Sequence, residues 1–205
     1  MKFPVRVVGV LAVAGAVAGC SGHSGPADAS QDNSPPASSA VHQALPYGGA
    51  PKVASPLPAS ALAAHPCDSA FTAENLSQLF EAPPKGVHAD LPDRGAGCRW
   101  LDQRTGAMAL VFYSTKADGL SSVYADDRPH SKVWNVLPPI EGFPAVAHDS
   151  PALQAAKSGC QVSVGTSDQS TVDVSIGLAP ANVGKVDPCA KATEVATAVI
   201  VNVKG

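Results

Sequence analysis

A chain of 205 residues with 14 basic and 17 acidic side chains and a formal net charge of −3 has no basic cluster and no basic-aromatic interleaving, so nucleic acid is not its expected partner. No self-similarity at a period of about 20 to 50 residues marks a repeat array. The 5 cysteines are spread unevenly, one near the start and the rest far beyond it.

Lys2 and Arg6 form a positive n-region, and Val7 to Val17 an apolar run. That run has the length of an export signal and falls short of the roughly 20 residues a membrane-spanning helix needs. Val17-Ala18-Gly19-Cys20 then resembles the bacterial lipobox, in which a diacylglyceryl group is attached to the cysteine sulfur and the chain is cut just before that residue. A plain signal-peptidase site with an incidental cysteine is the alternative; position, small flanking residues and the n- and h-regions together favour the lipobox. Residues 1–19 are thus expected to be a lipoprotein signal, and Cys20 the lipidated start of a mature chain. Two or more acyl chains anchor stably where one, at roughly 0.8 kcal/mol per buried methylene, holds only marginally. The expected location is the extracytoplasmic face of the cell membrane.

Residues 20–60 are rich in Ser, Ala, Pro and Gly, with Asp28, Asp32 and Lys52 as the only charged residues after Cys20 and Tyr47 as the only aromatic. Such a segment buries too little apolar surface to offset its ordering entropy and is expected to be a disordered linker, with a reach of roughly 35 Å as a flexible coil. Residues 61–205, about 145 in all, are the size of one domain.

Within that domain, Thr72 is placed to cap a short helix carrying Leu76, Leu79 and Phe80 on one face, stopped by Pro83 and Pro84. Cys98 and Trp100 alternate with Arg99 and Leu101 in a strand, Asp102 to Gly106 read as a turn, and Ala107 to Tyr113 as the hairpin partner. Asp118 to Asp127 predict a second short helix through Leu120, Val123 and Tyr124. Val133 to Ile140 and Ala145 to His148 are weaker strands, interrupted by Pro138, Pro139 and Pro144. A late hairpin is the clearest element: Cys160, Val162 and Val164 point one way, Gly165 to Gln169 turn the chain, and Val172, Val174 and Ile176 alternate with Thr171, Asp173 and Ser175. One face is expected to be apolar and the other polar. Asp187 and Pro188 then start a final helix with Val195, Ala196, Val199, Ile200 and Val203 as its buried stripe. The sum is an α+β domain, an antiparallel sheet of five to six strands packed against two to three helices.

Cys67 and Cys189 lie near predicted helix starts, Cys98 and Cys160 at predicted strand starts. Outside the cytosol an even set of thiols is expected to be oxidised, and four cysteines allow three pairings. The late hairpin returns its second strand to the end where Cys160 began, with Cys189 a short loop away. That favours Cys160 with Cys189 and, by elimination, Cys67 with Cys98. No CxxC or HxxxH spacing supports a metal site, and neither metal nor cofactor is expected.

The lipobox, the Ser/Pro-rich linker and the segments HPCDSAFTAENLSQLF, GCRW, GCQVSV and DPCAKATEVATAVI resemble an actinobacterial family that includes the LprB-type mycobacterial lipoproteins and carries a domain of unknown function. The resemblance runs from Pro66 to the C-terminus, by pattern alone between about Ala117 and Pro151. It implies location and architecture and supplies no catalytic residues.

No GxSxG, SxxK or phosphate-binding glycine loop is present, so the chain is not expected to be an enzyme. His88, Asp90 and Asp93 form the nearest thing to an acid-base or cation cluster, but in a loop of prolines and glycines that reads as solvated. Asp126, Asp127 and His130 read as a solvated helix end or a weak Ca²⁺ site. His148 and Asp149 have the order of a general-base pair without a local nucleophile. Trp100, beside Cys98 on one strand face, is expected in the core. Trp134, in a more polar run, is expected to pack rather than to stand at a surface, yet it and His148 are the candidate binding-surface residues. The leading expectation is a monomeric surface lipoprotein that binds an envelope protein or glycan. A carrier with an apolar cavity between sheet and helices comes second, and a hydrolase pairing His148 with a remote serine third.

Overall fold

Seven strands form a single antiparallel sheet in the computed structural model, which describes residues 44–149 and 158–205. They are β1 (Val87–His88), β2 (Gly95–Leu101), β3 (Met108–Ser114), β4 (Trp134–Ile140), β5 (Phe143–His148), β6 (Gly159–Ser167) and β7 (Ser170–Gly177), ordered β1-β2-β3-β7-β6-β5-β4. The signal segment, Cys20 and the first part of the linker lie outside the described residues.

The sheet is larger than the expected five to six strands for two reasons. The two residues of β1 are too few to show alternation, and the proline-interrupted pair β4 and β5 is fully formed. Proline lacks an N–H, so it is tolerated where no ladder partner waits. Pro138 and Pro139 sit on β4, the edge strand, and Pro144 lies opposite the register shift between Leu137 and Ile140.

The apolar face of the late hairpin packs as its alternation predicts. Val162, Val164, Val172, Val174 and Ile176 are buried together with Val195, Ala196, Val199 and Ile200 of the final helix. In that helix Asp187 Oδ1 accepts hydrogen bonds from the N–H groups of Cys189 (2.8 Å) and Ala190 (3.3 Å), with Pro188 opening the first turn. Two short helices, α1 (Pro66–Ser69) and α2 (Ala73–Leu79), flank the same face, and Thr72 and Asn75 close a reciprocal cap on α2.

The opposite face is polar, as expected, and yet enclosed. Gln161, Ser163, Thr171, Asp173 and Ser175 are all buried. β3 lies in mid-sheet and β4 at the far edge, so the chain between them crosses this face and covers it. It carries α3 (Leu120–Ser122), a π-helical turn (Val123–Asp127) and a 3-10 turn (Arg128–His130). The final helix, Pro188–Lys204, is α4. Layers therefore lie on both sides of the sheet.

The later part of the expected linker is also packed. Tyr47 donates its N–H to Ser121 Oγ (3.0 Å), the Val53 N–H reaches Asp168 Oδ1 (2.8 Å), and the Leu57 N–H reaches the Thr166 carbonyl (2.8 Å). Val53 is buried. A low-complexity strap is held here through its backbone, which composition does not report.

Candidate functional site

The crossing connection is fixed at its start by Gly119, whose φ of +54° suits glycine and whose position leaves no room for a Cβ beside the Asp168 carbonyl. Leu120, Val123 and Tyr124 then turn down onto Val146, and Tyr124 meets the Trp134 ring edge-on with centroids 5.0 Å apart. The Arg128 N–H bonds to the Val123 carbonyl, which widens the helix into a π turn. This turn brings Asp126 and Asp127 to the wall of a cleft whose floor is the sheet.

The cleft has a volume of about 360 Å³, with Arg94, Ser114, Asp127, Thr171 and Asp173 among its lining residues. Asp173 is its most enclosed charge, 2% exposed. Its Oδ2 accepts a 2.6 Å hydrogen bond from the Ser114 hydroxyl and lies 3.7 Å from Arg94 Nε. Its Oδ1 has no hydrogen-bond partner among the described residues. Arg94 is further occupied by the Phe112 ring, 5.1 Å from the guanidinium carbon.

Behind the cleft a hydrogen-bonded row runs along the sheet. Ser175 Oγ donates to Gln161 Oε1 (3.1 Å), Gln161 Nε2 donates to Ser163 Oγ (3.2 Å), and Ser163 Oγ lies 3.2 Å from His148 Nε2. Burial pushes the His148 pKa below its usual value, against the opposing pull of Asp127 and Asp173. Burial likewise raises the Asp127 carboxyl, against His148 and Arg94.

Trp134 and His148 are brought together, with ring centroids 5.7 Å apart. His148, however, is 1% exposed and forms no part of a surface, because the crossing connection roofs the strand face on which it stands. The Asp149 carboxylate does not orient it: Asp149 Oδ1 accepts from the N–H groups of Lys132 (2.9 Å) and Val133 (3.2 Å) and anchors the chain leading into β4. Asp126 and Asp127 reach the cleft, whereas His130 is exposed with its Nδ1 2.8 Å from the Asp126 carbonyl oxygen.

The His88-Asp90 cluster gains His65, whose ring stacks on His88 with centroids 3.7 Å apart and whose Nε2 lies 2.8 Å from Asp90 Oδ1. Asp90 also accepts the Gly97 N–H (2.9 Å), and that bond, followed by His65, holds its carboxyl below the ordinary range. His65, Cys67 and His88 form the one group of potential metal ligands that converge among the described residues. A metal does not suit it: Cys67 is in a disulfide, and a cation cannot lie in the planes of two parallel stacked rings at once. The cluster ties the start of α1 to β1 and β2.

Cysteines pair as expected, Cys67 with Cys98 and Cys160 with Cys189. Cys98 stands in the middle of β2 rather than at its start. Arg94, Ser114, Ser163 and Asp173 were not singled out from the sequence. The signal for Asp173 was an acid flanked by valines in a strand, which alternation assigns to solvent until the path of the preceding connection is known.

A family model described as "Protein of unknown function (DUF3558)" matches residues 15–202. No curated protein and no solved structure matches the chain.

Proposed function

This chain belongs to the DUF3558 family, and we propose that it is a membrane-tethered, non-enzymatic binding module of the cell envelope, of the LprB type. In this reading, lipid on Cys20 holds the domain on the extracytoplasmic face, and the cleft over the second sheet face engages a small ligand or one group of a larger envelope component. The observation that carries it is the cleft itself, about 360 Å³ and lined by Arg94, Asp127 and the enclosed Asp173. This volume lies at the lower end of the range of ligand sites. Monomeric action fits a site built from one chain.

The two alternatives have less support. A carrier of apolar ligand needs an enclosed cavity between sheet and α4, where Val162, Val172, Val199 and Ile200 are closely packed. A groove of about 330 Å³ does lie at the edge of that layer, lined by Phe80, Met108, Ile176, Leu178 and Glu194, but it is open to solvent rather than enclosed. A hydrolase would use Ser163 with His148, but both are buried and Ser163 Oγ already accepts from Gln161.

Photo-crosslinking in intact cells tests the proposal. A crosslinker at Ala117, on the cleft wall, is expected to capture a specific envelope component, and one at Val201, exposed on α4, is not. Capture from neither position, or equal capture from both, contradicts it.

A further inference from the structure

We infer that the cleft receives a positively charged nitrogen, the ammonium of a small amine or amino sugar, with Asp173 as its buried counter-charge. The inference rests on the cleft being the binding site.

The charge of the lining selects the sign. Asp93, Asp126, Asp127 and Asp173 stand against one basic residue, Arg94, and its guanidinium is already shared between Asp173 and Phe112. An anion would meet an excess of like charge.

The arrangement of the acids selects the kind of cation. Calcium takes six to eight oxygens at about 2.3 to 2.6 Å, so its ligands must converge on one point. These carboxylates do not, since the one converging group of ligands among the described residues is elsewhere, at His65, Cys67 and His88. An ammonium asks for fewer acceptors, three at about 2.7 to 2.9 Å, and takes hydroxyls as readily as carboxylates. Asp173, Ser114, Thr171 and Asp127 supply such acceptors.

Asp173 adds an independent observation. It lines the cleft at 2% exposure, yet Oδ1 has no partner among the described residues. Buried carboxylate oxygens are normally satisfied, because an unmatched one retains its desolvation cost. Oδ1 is itself closed to solvent, so a slight turn of the carboxylate presents it to a donor in the cleft, and charge-assisted bonds of this kind are among the strongest available. Binding also sets a further positive charge against the burial that raises the Asp127 carboxyl.

The full chain in detergent micelles is titrated calorimetrically with glucosamine and 1,5-diaminopentane, with glucose and 1,5-pentanediol as uncharged counterparts, and with calcium chloride. The expected result is saturable binding of the amines, with the uncharged counterparts weaker by about tenfold or more. Asp173→Asn should weaken amine binding by about tenfold or more with the near-ultraviolet spectrum retained. If that variant does not fold, Asp127→Asn on the cleft wall is read in its place.

Equal binding of glucose and glucosamine at a cleft that still crosslinks through Ala117 overturns the inference and leaves the binding module standing. So does binding of calcium alone, or amine binding that both substitutions leave unchanged. Binding of no probe overturns the inference, and silence at Ala117 besides overturns the binding module as well.

Discussion

His148 shows what a single side chain contributes when a roof closes over it. Burial lowers its folded pKa below the 6.5 of a free imidazole. Between the two values the unfolded chain binds more protons, so stability is full above about pH 6.5 and declines as pH falls toward the folded value. Asp127 acts in the opposite sense: its raised folded pKa favours the folded state as pH falls toward 3.8. Asp90, held low by Gly97 and His65, adds a loss only as pH drops below about 3.8. Thermal unfolding should therefore show a lower midpoint at about pH 5.5 than at about pH 7.5, with a shallower dependence in His148→Gln and a steeper one in Asp127→Asn. An unchanged slope in His148→Gln would assign the effect elsewhere. At this scale the sequence marked Trp134 and His148 each as a candidate surface residue, whereas the structure puts their rings together and buries His148. It could not mark Asp173, because an acid between valines reads the same on a solvated face and on a roofed one.

Among the elements, those whose signals are local were legible. The α4 helix has its cap, its first-turn proline and its stripe within one short span, and all of them form as the spacing predicts. Ile200 is fully buried in that stripe, and Val201 beside it is half exposed. Ile200→Ala should cost about 2 to 5 kcal/mol in chemical denaturation, whereas Val201→Ala should stay within about 0.5 kcal/mol. Similar losses for both would mean that α4 does not present the face assigned to it. The late hairpin was legible in register but not in what covers it. Alternation of Val172, Val174 and Ile176 with Thr171, Asp173 and Ser175 reports a period of two and nothing about the partner on either side. The roof depends on where β4 pairs, a non-local fact that Pro138 and Pro139 made harder to read because β4 looked too broken to be a strand.

Across the whole molecule, two covalent links close loops of 31 and 29 residues and join α1 to β2 and β6 to α4. Each contributes on the order of 3 to 4 kcal/mol by restricting the unfolded chain. Their pairing was legible because the hairpin returns β7 to the Cys160 end of the sheet, and Gly159 does pair with Gly177. The packing of Tyr47, Val53 and Leu57 was not, since backbone hydrogen bonds leave no trace in composition. The proposed tether and the oxidised state both place the domain outside the cytosol. Mass analysis of the chain taken from the membranes of cells that make it naturally, alkylated without reductant, tests this most directly. The account predicts a mature chain starting at acylated Cys20 with Cys67, Cys98, Cys160 and Cys189 unalkylated; an unacylated Cys20 together with four alkylated thiols would contradict it.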